Sequence, residues 1–117
     1  MSTSPDCLFC RIAAREIPAR VLFETEHLVA FHDVNPQAPT HVLVIPKKHI
    51  TSLSELGTGD RELAAELMFG TQRAAHDAGL EGGGYRVVTN KGGHGGQSVM
   101  HLHFHVLGGR SLGWPPG

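Results

Sequence analysis

The sequence predicts an α+β domain with a mostly antiparallel sheet, and three observations predict it. Short apolar runs of strand length recur along the chain, and one long segment, 60–78, switches to helical spacing. The early runs are joined by connections too short for the crossovers that parallel strands require. At 117 residues the chain is sized for a single domain, 1–117, and 40% apolar content supports a core.

Cys7 to Glu16 reads as a short helix, halted before Pro18. Val21–Glu24 and Leu28–Asp33 flank the polar "TEH" and read as a hairpin. The proline-punctuated "NPQAPTH" then leads into a strand, His41–Pro46. From Asp60 to Ala78, Leu63, Ala64, Leu67, Met68, Thr71, Ala74, Ala75 and Ala78 recur at steps of three and four. Glu62, Glu66, Arg73 and Asp77 stand opposite, so the segment is an amphipathic helix, capped by Thr58 or Asp60 and stopped at Gly79. A turn and a strand, Tyr85 to Asn90, follow; then come the loop "KGGHGGQS" and a last strand, Val99 to Leu107.

Composition excludes several classes. Net charge is −1 and the charges are scattered, so the basic stripe of a nucleic-acid polymer binder is missing. No apolar run approaches the roughly 20 residues of a membrane span. "MSTSPDCLFC" lacks the basic start and apolar core of a secretory signal, and two cysteines make no disulfide framework. A cytoplasmic, reducing setting is therefore expected. Nine histidines are the anomaly.

Three of them alternate in "SVMHLHFHVLGG". Residues i and i+2 of a strand share a face about 6.6 Å apart, which would align His101, His103 and His105 with Leu102, Phe104 and Val106 in the core behind. Such a row can hold a metal or surround an anion. All three as ligands would be awkward, because the outer pair would lie about 13 Å apart. Upstream, Gly92, Gly93, Gly95 and Gly96 free the backbone to aim N–H groups at an anion, and Ser98 adds a hydroxyl. Phosphate binding uses all of these features. A neutral imidazole is a competent nucleophile towards phosphorus, and a neighbouring one can protonate a leaving group. His103, flanked on both sides, is the natural nucleophile, with His105 or Ser98 on phosphate oxygens or the leaving group. "CLFC" (Cys7, Cys10) has the spacing of a zinc half-site, a redox pair or two packed thiols.

"HLHFHVL" matches the signature of the histidine triad family, His-x-His-x-His followed by two apolar residues. "EIPARVLFE", "LVAFHDVNPQAPTHVLVIPKKHI", "YRVVTN", "GGQSVMHLHFHVLGGR" and "WPPG" resemble its nucleotide-binding branch, which hydrolyses purine nucleoside phosphoramidates. The resemblance implies a five-stranded antiparallel sheet with two helices, paired in a homodimer into ten strands. It implies that His103 attacks the α-phosphorus, that His105 and Ser98 contact phosphate or leaving group, and that His41 supports the nucleophile. Asn90, Gly96, Gln97 and Val99 would line the phosphate side, and Asp33 would accept the ribose hydroxyls. Phe9, Ile12, Phe31, Val34 and Leu43 would form the slot for the base, and Trp114 would reach towards the partner's site. Bacterial members similar in "CLFC" bind structural zinc through the cysteine pair and two histidines, here His49 and His101; the chemistry itself would require no cofactor. Met100 departs from the aromatic many relatives carry, and Lys91 and His94 in "KGGHGG" either bring charge beside the site or belong to a solvated loop. Other readings within reach are dinucleoside polyphosphate hydrolysis or nucleotidyl transfer by another branch, and a nucleotide-binding regulatory module.

Overall fold

In the computed structural model, which describes residues 4–117, the elements run α1 (Leu8–Ala13), β1 (Val21–Glu24), β2 (Leu28–His32), β3 (Thr40–Pro46), α2 (Arg61–Asp77), β4 (Tyr85–Val88), α3 (Gly92–Gly95) and β5 (Phe104–Gly108). All strand pairs are antiparallel, in the order β1-β2-β3-β5-β4. The last strand is thus inserted between β3 and β4, with Leu43 and Val88 both opposite His105.

Alternation along the strands divides the interior in two. On one face Ala30, Val42, Val44, Phe104 and Val106 pack with Leu102 under the α2 residues Leu67, Ala74 and Ala75. On the other, Val29, Phe31, Leu43 and Ile45 pack under α1 through Cys7, Phe9, Cys10 and Ile12. The second face carries the site.

Helix α2 follows the expected span, with Met68 an exception: 62% exposed, it lies outside the buried stripe. Gly70 takes a core position instead, because a Cβ there would stand 2.5 Å from Leu28 Cδ1. Asp60 occupies the N-cap position, but its carboxylate accepts from the Gly57 amide at 2.8 Å and from Lys48 at 2.7 Å. Gly79 takes φ +77, the left-handed stop a glycine supplies.

Strand β4 ends at Val88, two residues short of the expected Asn90, β2 and β3 differ by one residue each, and three further departures bear on the site. Helix α1 ends at Ala13, three residues early, because Arg15 turns left-handed at φ +62 and pairs with Glu24. Within "KGGHGG" the glycines close one helical turn, α3, which Gln97 braces by accepting from the Gly92 amide and donating to Thr51 O. Most consequential, β5 starts at Phe104, not Val99. Only five β3 residues, Thr40–Val44, pair with it, and the chain before it bends at His101 while the Leu102 amide donates to Ile50 O. Among the described residues, no helix is long and apolar enough to cross a membrane.

Candidate active site

Because regular strand begins only at Phe104, the three alternating histidines meet different surroundings. His101 is fully buried, His103 is 5% exposed, and His105 is half-buried. They are therefore not a uniform open row, although Leu102, Phe104 and Val106 do fill the core behind them.

Each ring has one nitrogen committed to a fixed partner, and that fixes its neutral tautomer. A carbonyl only accepts, so His101 carries its proton on Nε2, donating to Pro46 O at 2.8 Å, and its Nδ1 is bare. His103 carries its proton on Nδ1, donating to the carbonyl of His101 at 2.7 Å, and its Nε2 is bare. The Gln37 amide donates to His41 Nδ1 at 3.0 Å, which places the His41 proton on Nε2. His41 Nε2 lies 2.8 Å from His105 Nδ1 and donates to it, leaving His105 with an N–H at Nε2. Asp33 Oδ2 stands 3.5 Å from His41 Nε2, while its Oδ1 accepts from the Asn35 amide at 2.9 Å. One neighbouring ring thus offers a lone pair and the other an N–H, their centroids 4.9 Å apart.

Burial, reinforced by the nearby rings of His103 and His41, pushes the pKa of His105 down to about 4, with Asp33 opposing. His41 is lowered by burial as well, partly offset by Asp33. The Gln37 amide explains the same preference geometrically: a second proton on His41 would place N–H against N–H. The His41–His105 pair is thereby held neutral, as a donor. It also disfavours a metal at Asp33, His41 and His105, although their ligand atoms lie close together: His41 Nε2 already holds the proton.

These rings open into a cleft of about 540 Å³. Phe9, Ile12, Phe31 and Leu43 give it apolar walls, Phe9 standing edge-on to His103 at 5.1 Å and to Phe31 at 5.5 Å. Asp33, His41, Ser98, His103 and His105 line its polar end, Val99 adds a further apolar contact, and Val34, 99% exposed, stands at the rim.

Behind His103, the Sγ atoms of Cys7 and Cys10 and the Nδ1 atoms of His49 and His101 lie within 4.8 Å of one another. Cys7 Sγ is 3.3 Å from His101 Nδ1, Cys10 Sγ is 3.2 Å from His49 Nδ1 and 3.5 Å from His101 Nδ1, and the two Nδ1 atoms are 3.2 Å apart. Tetrahedral bonds of about 2.3 Å to sulfur and about 2.0 Å to nitrogen give edges of about 3.3–3.5 Å for such pairs. The set therefore fits a metal ion, and the bare Nδ1 of His101 is the tautomer a ligand needs.

A family model for the HIT domain matches residues 14–112. The chain belongs to the HIT family. It is 49% identical over 114 residues to a HIT-like protein of Synechococcus elongatus, covering 97% of this chain and 99% of that one. Among solved structures, a HIT family hydrolase of Legionella pneumophila superposes with a TM-score of 0.92 at 50% identity, covering 96% of this chain and all of the other. A histidine triad protein of Clostridium difficile gives 0.89 at 40% identity, covering 94% and 96%.

Within this HIT chain the structure gathers most of the residues singled out by sequence, with exceptions. Asn90, Gly96 and Gln97 lie outside the cleft lining: Asn90 donates to Gly95 O, Gly96 ends α3 at φ +76, and Gln97 ties that turn to Thr51 and Val99. Trp114 is 83% exposed on the C-terminal tail, which Arg86 holds through Gly113 O at 2.6 Å. Gln37 was missed, since a backbone amide leaves no mark on side-chain pattern. His32 was missed too, although its place beside Asp33 was a usable signal; it lines the cleft, and burial and Arg20 lower its pKa.

Proposed function

We propose that this protein is a hydrolase that cleaves the P–N bond of purine nucleoside phosphoramidates through a nucleotidyl-histidine intermediate on His103. The observation that carries the reading is the bare Nε2 of His103, set by its Nδ1–H bond to His101 O, beside the N–H of His105. HIT proteins of Legionella pneumophila and Clostridium thermocellum that resemble this chain are hydrolases. The cleft's volume falls in the range of small-ligand sites, apolar along its walls and polar at one end.

In this reading the base enters between Phe9, Ile12, Phe31 and Leu43, and Asp33 accepts from the ribose diol. His105 Nε2–H and the Ser98 hydroxyl then donate to phosphate oxygens and the leaving nitrogen. The leaving nitrogen takes a proton from solvent, His103 Nε2 forms the bond to phosphorus as the P–N bond breaks, and the nitrogen departs as the amine. Water then attacks the nucleotidyl-histidine: its oxygen joins phosphorus as the P–Nε2 bond breaks, its proton returns to solvent, and the nucleoside monophosphate leaves with Nε2 bare again. Splitting one displacement into two lowers each barrier. The chain's own residues supply every one of these contacts. Zinc is the ion proposed for Cys7, Cys10, His49 and His101, where it would tie α1 to the segment before β5 and take no part in bond cleavage.

A substrate panel tests the reading. Adenosine 5′-phosphoramidate should turn over faster than diadenosine polyphosphates, with zinc assayed on the same preparation. Faster polyphosphate cleavage would move the protein to another branch, and AMP binding without turnover of any substrate would make it a binding module.

A further inference from the structure

Four side chains that take no part in the proposed bond cleavage stand directly behind the nucleophile, joined to it by two short routes. The first is hydrogen bonding: His101 offers Nδ1 to the cysteine–histidine cluster, while its carbonyl receives the His103 Nδ1–H at 2.7 Å. The second is packing: Phe9 sits in sequence between Cys7 and Cys10, and its ring meets His103 edge-on at 5.1 Å.

We infer that metal occupancy of the Cys7, Cys10, His49 and His101 cluster controls nucleotide binding, by fixing both the tautomer of His103 and the aromatic wall that Phe9 provides. The inference rests on His103 being the group that meets phosphorus. Two Nδ1 atoms facing each other at 3.2 Å repel through their lone pairs unless a cation or a proton lies between them. Without the ion, relief requires His49 or His101 to turn or to change tautomer. His101 keeps its Nε2–H on Pro46 O, so His49 gives way, and the loss of the ion acts as a release: α1, His49 and the peptide whose carbonyl orients His103 are no longer tied to one centre. Helix α1, only six residues long, does not persist by itself; it is held by Phe9 and Ile12 packed on the sheet and by its two cysteines in the cluster. Exchange has a route: a surface groove of about 440 Å³ reaches Cys7 and His49 and shares Ser98 and Val99 with the cleft.

The test uses the full chain, zinc-loaded and chelator-stripped, with 15N-labelled histidine. Loaded protein should show His103 as a single Nδ1–H tautomer. Stripping should turn it into a mixture and weaken AMP binding at least 10-fold, both reversed by added Zn2+, with amide protection of β2, β3 and α2 unchanged. His49→Ala should reproduce the stripped state, and His49→Cys, which keeps four ligands, should retain the loaded one. Stripped protein with an unchanged His103 tautomer and AMP affinity would overturn the inference. So would failure to bind Zn2+, or a loss of affinity that comes only with loss of sheet protection. The tautomer readout needs no substrate: a loaded protein that binds AMP but forms no adduct would sink the hydrolase reading and leave the switch standing.

Discussion

The imidazole of His103 has two nitrogens, and the carbonyl of His101 claims one of them, so the neutral ring presents its lone pair from the other. The same logic, run through the Gln37 amide and His41, leaves His105 with a hydrogen to give. Two chemically identical side chains thus acquire opposite roles from their partners, a carbonyl for His103 and the His41 ring, set by a backbone amide, for His105. His105 also makes the fold acid-sensitive. Its pKa falls from the usual 6.5 to about 4, because burial disfavours the charged ring. Between those values the unfolded chain takes up a proton that the folded chain refuses. Stability present above pH 6.5 is therefore lost as the pH falls towards 4, by at most about 1.4 kcal/mol per pH unit from this group. Urea denaturation at pH 7 and pH 5 should show a smaller acid loss for His105→Asn than for the native chain; equal losses would contradict the assignment.

At the scale of elements, the helix pattern at 60–78 and the hairpin at 21–33 were legible because each repeats a period over several residues. Gly70 was not, since a glycine in a helix reads as a weak point worth about 1 kcal/mol against alanine. Only the packing shows that Leu28 occupies the space a Cβ would need. Gly70→Ala should therefore destabilise by about 1–3 kcal/mol in chemical denaturation, where helix propensity alone predicts a gain. The histidine strand was legible in part. Alternation correctly placed Leu102, Phe104 and Val106 in the core, yet it continued the strand back to Val99. Period alone could not show that β3 offers five partners, or that the residues before Phe104 bend to bury His101 beside Cys7. That bend gives the three histidines separate duties.

Across the whole molecule, the sheet places one cluster of side chains directly behind another: four metal-type ligands, then His103, then the cleft. Val34, expected in the slot, stands 99% exposed at the rim; the walls at Phe31 and Leu43 were readable from the family motifs, with Phe9 and Ile12 beside them on α1. The contribution of Gln37 was not, because it is made by a main-chain N–H. At the far edge of the sheet, β4 pairs with β5 alone among the described residues, and Tyr85 and Val87 are 39% and 41% exposed. We expect a symmetric dimer there, in keeping with the tail that ends in Trp114. Light scattering at micromolar concentration should give twice the chain mass, and a monomer mass would remove the expectation.

A nucleotide bonded to the nucleophile can be trapped and located. Rapid mixing with adenosine 5′-phosphoramidate, an alkaline quench and peptide mass spectrometry should find adenylate on His103 in the native chain and none in His103→Ala, which should also release no AMP. Adenylate on His105 or Ser98, or turnover that survives the loss of His103, would contradict it.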